Sequence, residues 1–275
     1  MAISLTDGLR TGVRQGIRLS VAARSAYDAA AVAYFTAVEA ADGQTLETGV
    51  KVAINNFIVG CKADGTWNAI KASCILAGAR TLSGALVPLV GTAPTNFNFV
   101  SGDYNRKTGL GDPNNATKYL TSGFPYNGLA SNNEHIATFI STPSTGNIMG
   151  GGTTSSSITR LGYIGGTFFI EGQSPPDGAG ATASNYTNFI GSSRSSGSNF
   201  VFRRSGSSIT QSINSVSRSN VSTAYGVFCA NYSDAAASGV SRGRFAFYSI
   251  GESLDLALLD ARVTALITAF GTAIP

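Results

Sequence analysis

The chain contains a single histidine, His135, which limits the catalysis that its side chains could perform. A nucleophilic triad needs a base beside the nucleophile, and that base is usually a histidine. His135 lies in the run NNEHIATF at the start of a predicted β-strand, so we expect a surface residue at a strand end. The sequence also lacks the G-x-S-x-G motif that presents a nucleophilic serine. A triad is therefore not predicted.

Carboxylate pairs are the other common catalytic arrangement, and glycoside hydrolases hold theirs about 5 Å or about 6.5–9.5 Å apart. The five glutamates of this chain are scattered, and no E-x-D-x-E run is present. Glu171 lies on a predicted strand without an acidic neighbour two residues away, which is typical of a polar strand-end residue. We therefore predict no catalytic residues and expect that the chain is not an enzyme.

The sequence predicts neither a phosphate-binding loop nor a metal site. The run GGGTTSSS (150–157) contains no lysine and precedes no helix, so it is interpreted as a flexible turn. Segment 101–119 offers oxygen ligands suited to calcium, but their spacing matches no familiar loop. These ligands are Asp103, Asn105, Asp112, Asn114 and Asn115. Because such residues also form ordinary turns, we expect no metal and no cofactor, with calcium in 101–119 left open.

The three cysteines, Cys61, Cys74 and Cys229, do not indicate a disulfide framework. Their number is odd, and no C-x-x-C pair is present. We expect buried free thiols, with a disulfide between Cys61 and Cys74 as the alternative.

The composition is apolar and poor in charge. Hydrophobic residues make up 43% of the chain and charged residues only 12%, about half the usual charged fraction. Hydroxyl and amide groups must therefore hydrate the surface, which is typical of secreted and virion-type β proteins. No run of 18 uncharged apolar residues is present, so we do not expect a membrane partner.

Residues 8–19 read GLRTGVRQGIRL, a four-residue unit repeated three times. As a helix or as a strand, the repeat forms an aliphatic stripe that needs a partner to cover it. We predict an assembly contact formed by Leu9, Arg10, Val13, Arg14, Ile17 and Arg18. No aromatic residue lies between the arginines, so nucleic acid is not expected as the partner.

Helices are predicted over 21–42, 46–63 and 66–77, and the composition changes near Ala79. Between residues 141 and 220, Ser, Thr, Asn and Gly fill 47 of 80 positions, which disfavours helix there. Short aromatic-rich runs alternate with turn residues and predict an antiparallel β-sandwich. We therefore expect a helical N-terminal attachment region at 1–78 and a sandwich at 79–275.

A closing helix is predicted over 256–270, with Asp255 as N-cap and Gly271 as the stop. Its apolar residues are spaced three and four apart, which places them on one face. They are Leu256, Leu259, Val263, Leu266 and Phe270. This face is expected to pack on the chain's own sandwich or against copies of itself in a homo-oligomer.

Three runs carry a resemblance to a known family: DGTWNAIKASCILAGARTLSGALVPLVGTAPTNFNFVSGDYNRKTGLGDPNNATKYL, GVFCANY and RGRFAFYSIGESLDLALLDARVTALITAF. Over residues 25–275 the chain resembles phage and gene-transfer-agent virion structural proteins with a concanavalin A-like (laminin G-like) jelly roll. The resemblance implies a mainly β fold, an antiparallel sandwich closed by a C-terminal helix, that recognises glycans or surfaces. It implies no catalytic site and provides no agreed ligand residues.

These observations predict a virion surface protein, such as a head spike, fibre, tail or decoration component, assembled in the bacterial cytoplasm. Its N-terminal region would bind other virion proteins, and its lectin-like domain would bind host cell-surface polysaccharide. Loop 125–133 is the predicted ligand site, through Tyr126, Asn127, Asn132 and Asn133. The alternatives are a purely structural capsid cement or spike-base protein and a polysaccharide depolymerase.

Overall fold

A computed structural model describes residues 27–275 apart from 116, 144, 165–166, 175–179, 183–185, 214–215 and 236. The predicted assembly contact lies outside the described residues, so attachment through it stays a prediction. Its members are Leu9, Arg10, Val13, Arg14, Ile17 and Arg18.

Four α-helices are present in the described residues: α1 (Ala29–Asp42), α2 (Thr48–Ala63), α3 (Leu82–Ala85) and α4 (Leu256–Ala273). The Asp28 side chain caps α1 by accepting a hydrogen bond from the backbone of Ala30, and Gly43 ends this helix in a left-handed conformation. Helices α2 and α4 match the predicted segments to within three residues. Helix α1 ends at the predicted residue 42 but begins at Ala29, and residues 21–26 of its predicted segment lie outside the described residues.

The described strands form two sheets. They are β1 (Ile70–Ile75), β2 (Pro88–Val90), β3 (Thr95–Phe97), β4 (Tyr104–Asn105), β5 (Gly109–Gly111), β6 (Tyr119–Pro125), β7 (Glu134–Thr142), β8 (Gly146–Thr153), β9 (Ser157–Ile164), β10 (Thr167–Ser174), β11 (Gly180–Thr182), β12 (Asn188–Arg194), β13 (Asn199–Arg204), β14 (Ser207–Ser212), β15 (Ala224–Val227), β16 (Ala230–Tyr232) and β17 (Arg244–Gly251). One sheet has nine strands, in the order β14-β13-β12-β7-β17-β1-β2, with β5 also paired with β17 and β4 paired with β5. The other has eight, in the order β11-β10-β9-β8-β15-β6-β3 with β16 beside β8.

The predicted antiparallel sandwich is confirmed, and its apolar residues form two layers. One layer lies between the sheets and includes Leu161, Phe168 and Phe245. The other lies between the nine-stranded sheet and the helices and includes Phe57 and Phe247. The nine-stranded sheet is thus buried on both faces, and seven consecutive residues of β7 are buried.

The third predicted helix, at 66–77, is wrong, because residues 70–75 form β1 and pair with β17 and β2. Only Trp67–Ala69 is helical there, as a single 3-10 turn. Five of the six residues of β1 are buried, since the strand is covered on both faces. A continuous apolar strand of this kind lacks the alternation that distinguishes strand from helix. The predicted boundary between 78 and 79 therefore lies inside the sandwich.

The glycine-rich run 150–157, predicted as a flexible turn, is mostly strand. Residues 150–153 belong to β8 and Ser157 begins β9, so only 154–156 form the turn. The three cysteines are free and buried, as predicted. Burial raises the pKa of the Cys61 thiol to about 11.

Helix α4 packs against its own chain. Leu259, Val263 and Leu266 are at most 2% exposed and belong to the apolar layer beneath the nine-stranded sheet. Ion pairs link the helix to α2 through Arg262 and Asp64 and to β13 through Asp260 and Arg203. Helix α4 has 18 residues and a mean hydropathy of 1.4, so by length and composition alone it could cross a membrane. The core helix of a globular domain meets the same criterion.

Candidate functional site

The predicted ligand loop, 125–133, places its aromatic residue in the core rather than on the surface. Tyr126 is fully buried, and its hydroxyl forms a 2.8 Å hydrogen bond with the hydroxyl of Ser157. The guanidinium of Arg218 covers the ring at 4.5 Å from its centre. Loop composition suggested an exposed ring for stacking on a sugar, but the ring instead anchors the loop between the sheets.

The three asparagines of this loop have different surroundings. Asn127 is exposed and donates a 2.8 Å hydrogen bond to the side chain of Asn220. The side-chain Oδ1 of Asn133 accepts hydrogen bonds from the backbone N–H and the hydroxyl of Ser253, so it fixes the segment before α4. The Asn132 backbone donates to Gln173, and its side-chain oxygen is buried without a partner. The geometry does not bring these side chains together around one cavity.

A buried ionic cluster lies behind the loop and joins the two sheets. Glu134 of β7 is fully buried and binds the guanidinium of Arg218, which enters from the segment between β14 and β15. Glu134 also accepts hydrogen bonds from Thr159 at 2.7 Å and from Tyr225 at 3.3 Å. Burial, reinforced by the Glu134 charge, raises the pKa of Tyr225 well above its ordinary value. The cluster fixes the segment before β15 to the sandwich interior.

His135 is fully buried, so the prediction of a surface strand-end residue is wrong. Nδ1 contacts the backbone carbonyl of Glu252, which can only accept, so Nδ1 carries the proton. Nε2 then accepts from the Ser249 hydroxyl at 2.7 Å. Burial lowers the pKa of this histidine to about 4, and the imidazole is neutral in the folded protein.

We expect the free energy of unfolding to fall as the pH is lowered from about 6.5 to about 4, because His135 gains a proton only in the unfolded chain in this window. The expected loss is about 3 kcal/mol, at about 1.4 kcal/mol per pH unit. Ion-paired carboxylates such as Glu47 and Asp112, whose pKa values are lowered by hydrogen bonds from Arg106 and Lys118, contribute mainly below about pH 5, so the range from pH 6.5 to 5 isolates His135.

Urea unfolding at intervals between pH 7.5 and 4.5 measures this loss. His135→Gln removes the titrating group, so its unfolding free energy should stay nearly flat between pH 6.5 and 5. A wild-type curve that is equally flat would contradict the buried neutral assignment.

Segment 101–119 uses its carboxylates to hold a lysine. The Lys118 ammonium lies 2.8 Å from an oxygen of Asp103 and 2.7 Å from an oxygen of Asp112. The Asn115 side chain is also engaged, donating to the carbonyls of Lys118 and Ser241. The oxygens considered for calcium are therefore tied into the loop's own hydrogen bonds. No group of three acidic, histidine or cysteine side chains that could hold a metal occurs among the described residues.

Glu171, predicted as a polar strand-end residue, is buried on the outer face of the eight-stranded sheet, the face turned away from the other sheet. It receives two hydrogen bonds from Arg160 of the adjacent strand, at 2.6 and 2.9 Å. The same guanidinium lies 5.1 Å from the ring centre of Phe169. This strand pair thus carries a neutralised ion pair and a half-buried aromatic ring on one face.

A cavity of about 580 Å³ lies at the end of the sandwich where β8 begins and β9 ends. We name it the outer-face pocket; it is lined by Asn115, Thr145, Gly146, Ile164, Gly239, Val240 and Arg242. Ile164 is 41% exposed and Val240 is half-buried, so both offer aliphatic surface. The Arg242 side chain is exposed, and its Nε donates a 3.0 Å hydrogen bond to the backbone carbonyl of Asn115.

One wall of the outer-face pocket rests on a buried amide. Asn147 is 2% exposed, and its Nδ2 donates to the Ser238 carbonyl at 3.0 Å, while its Oδ1 is buried without a partner. A Cβ at Gly162 would lie 2.8 Å from this Oδ1, and a Cβ at Gly239 would lie 2.5 Å from Nδ2. The two glycines therefore make room for the amide beside the pocket.

Gly146 allows the close approach that shapes this wall. Its φ is +114°, and a Cβ there would lie 2.7 Å from the carbonyl oxygens of both Gly239 and Val240. We expect Gly146→Ala to lower the unfolding free energy by about 1–3 kcal/mol and to reshape the pocket. Thermal denaturation measures the loss. Gly102→Ala is the control, because its Cβ would contact nothing within 4 Å; equal effects of the two changes would contradict the wall geometry.

A second, smaller cavity of about 270 Å³ lies at the end of α2 and is lined by Lys62, Gly65, Trp67 and Asn68. The Lys62 ammonium binds Asp28 at 2.6 Å and lies 5.7 Å from the Trp67 ring centre. Its charge is thus already paired. The outer-face pocket is larger and retains an arginine that forms no ion pair with a described residue, so it is the stronger candidate for ligand binding.

Sequence reasoning missed the outer-face pocket because its residues come from four distant segments. Asn115 was considered only as a calcium ligand, and the other lining residues were not singled out. The chemistry that they offer is non-covalent: aliphatic contacts from Ile164 and Val240, and hydrogen bonds and charge from Arg242. Pockets of this size with a few polar groups commonly bind small molecules or single units of a polymer.

No protein-family model matches the chain, and a search of curated proteins gave no significant match. Solved structures give distant matches. Domain 4 of AbnA, a GH43 extracellular arabinanase from Geobacillus stearothermophilus in complex with arabinotriose, is 11% identical with a TM-score of 0.39; the match covers 63% of this chain and 82% of that one.

Two further matches are to much longer chains. A Trypanosoma rangeli sialidase mutant displaying trans-sialidase activity is 11% identical, with a TM-score of 0.44, over 78% of this chain and 39% of that one. The botulinum neurotoxin serotype D binding domain is 10% identical, with a TM-score of 0.42, over 72% of this chain and 52% of that one. The chain thus spans about half or less of these two proteins.

The presence of a sialidase among these structures corrects the expectation that the chain is not an enzyme. The absence of familiar motifs excludes only those sequence patterns, whereas catalytic groups can be assembled from distant segments. At these identities and TM-scores the matches assign no activity to this chain.

Proposed function

We propose that the chain is a surface protein of a virion or gene-transfer-agent particle that binds host-surface polysaccharide in the outer-face pocket. The single observation that carries the proposal is the pocket itself, a cavity of about 580 Å³ with aliphatic and hydrogen-bonding groups at the loop end of a β-sandwich. A sugar presents both an apolar face and hydroxyl groups, so it needs both kinds of contact.

The helices and the outer-face pocket lie on opposite sides of the sandwich, which supports attachment on one side and ligand binding on the other. The helices pack on the nine-stranded sheet, as shown by the apolar layer that contains Phe57, Phe247 and Leu259. The outer face of the eight-stranded sheet carries accessible side chains, including Ile164 and Phe169. A particle contact on the helical side leaves the outer-face pocket available to a ligand.

Binding of extracted bacterial capsular and lipopolysaccharide fractions to the purified full chain tests the proposal. We expect Ile164→Asn to weaken binding about tenfold or more, because it removes an aliphatic contact from the pocket. Ile209→Asn is the matched control, since Ile209 is 50% exposed on β14 of the other sheet. Binding of no fraction, or equal weakening by both changes, would contradict the proposed site.

Two added measurements separate the alternatives: incorporation of the chain into particles and the reducing ends in the incubated polysaccharide. A protein that joins particles normally but binds no polysaccharide is a structural cement or spike-base protein. New reducing ends in the incubated polysaccharide would identify a depolymerase.

A further inference from the structure

We infer that the outer-face pocket takes an acidic sugar, a glycan unit whose carboxylate binds Arg242. This inference rests on the proposed function and specifies its ligand. The described lining residues include one cation and no carboxylate, so the charge of the pocket favours an anion.

The guanidinium of Arg242 is positioned but not neutralised. Its Nε is fixed by the 3.0 Å hydrogen bond to the Asn115 carbonyl, which leaves both Nη groups for a ligand. Among the described residues Arg242 forms no ion pair, whereas the arginines at 80, 106, 160, 203, 218 and 262 each bind a carboxylate. Arg194 and Arg244 form no ion pair either, but both Nη groups of Arg194 and of Arg244 donate to backbone carbonyls. An Arg guanidinium binds a carboxylate through two parallel hydrogen bonds, which gives geometric selectivity as well as affinity.

The two acidic residues of segment 101–119 are already paired with a lysine. Asp103 and Asp112 both bind the Lys118 ammonium at 2.7–2.9 Å. Asn115, whose backbone carbonyl positions Arg242, is itself held through its side chain: Nδ2 donates to the carbonyls of Lys118 and Ser241, and Oδ1 accepts from the backbone N–H groups of Thr117 and Lys118. These hydrogen bonds therefore hold in place the residue that positions the arginine.

The remaining lining suits the rest of a sugar ring. Ile164 and Val240 supply aliphatic surface. The buried Asn147 amide supports the wall behind them, with Nδ2 beside Gly239 and the unpaired Oδ1 beside Gly162. A free inorganic anion would use only the arginine, whereas a carboxylated sugar would use the aliphatic surface as well.

The test compares ligands that differ only in the carboxylate. Isothermal titration of the full chain is carried out with a polysaccharide fraction that binds and with the same fraction after chemical reduction of its carboxyl groups. Methyl glucuronide and methyl glucoside provide the corresponding monosaccharide pair, and sodium sulfate is the free anion. We expect the carboxylated forms to bind about tenfold to hundredfold more tightly than the reduced forms, the range for a hydrogen-bonded charge.

Arg242→Gln should abolish this preference, and Arg242→Lys should retain part of it, because lysine keeps the charge but not the paired hydrogen bonds. Lys71→Gln is the control, since it removes one positive charge beside Glu252, at the opposite end of the strands. Circular dichroism checks that each variant is folded.

Equal affinity for native and reduced polysaccharide would overturn the acidic-sugar inference and leave the proposed glycan binding intact. Competition by sulfate as strong as that by methyl glucuronide would also overturn it, by showing a simple anion site. If neither polysaccharide binds, the proposed function fails together with the inference.

Discussion

Arg218→Met is expected to lower the unfolding free energy by about 3–5 kcal/mol, because it leaves the Glu134 carboxylate buried without its cation. Arg218 and Glu134 have side chains that are 4% and 0% exposed, so water cannot replace the lost partner. The change also removes hydrogen bonds from the guanidinium to the Tyr126 carbonyl and the Tyr225 hydroxyl. Urea unfolding of purified protein measures the loss.

Two controls separate the buried charge from a general effect of losing a cation. Lys51→Met removes a partly exposed ion pair with Glu39 and should cost less than about 1 kcal/mol. The double variant Glu134→Gln with Arg218→Met removes both charges and should recover part of the stability lost in Arg218→Met. A loss below 1 kcal/mol in Arg218→Met would mean that Glu134 is hydrated and that the cluster is not buried.

Leu259→Ala should cost about 2–5 kcal/mol, because the side chain is fully buried between α4 and the nine-stranded sheet. The helix packs within its own chain, so the mass in solution should not change while the melting temperature falls. Calorimetry and light scattering at several protein concentrations measure both quantities.

The adjacent residue provides a matched control. Leu258 is 39% exposed, so Leu258→Ala should cost much less than Leu259→Ala although the two changes remove the same atoms. If Leu259→Ala instead lowered the mass in solution on dilution, the helix would join subunits, and the packing described for α4 would be contradicted.

The closing helix and the sandwich could be predicted from the sequence because their signals are local. In α4, apolar residues recur three and four apart after an N-cap, and the Asp255 side chain does accept hydrogen bonds from Ala257 and Leu258. The Ser, Thr, Asn and Gly content of 141–220 excludes helix for an equally local reason. Even so, Gly271 does not stop α4, which continues to Ala273.

Burial of the nine-stranded sheet on both faces explains why the sequence predictions for β1 and His135 were wrong. A strand between two apolar layers needs no polar alternation, so β1 looked like part of a helix. His135 seemed exposed because polar residues precede it, yet distant residues Ser249 and Glu252 satisfy its ring nitrogens. Partners more than 110 positions away leave no signal in the local sequence.

The candidate site was less predictable than the fold. Turn-forming residues at 125–133 suggested a ligand loop, but Tyr126 points into the core, where Ser157 and Arg218 hold it. The outer-face pocket instead combines the β7–β8 turn with residues 239–242, which meet only after the sheets have formed. A lone exposed arginine such as Arg242 has no distinctive sequence context before that geometry is known.

A structure of the full chain bound to an oligosaccharide from a polysaccharide that it binds would decide whether the outer-face pocket is the ligand site. We predict sugar density in the outer-face pocket, with the ring against Ile164 and Val240 and a carboxylate on Arg242. Density in the cavity beside Trp67 or at loop 125–133, with the outer-face pocket empty, would contradict the account.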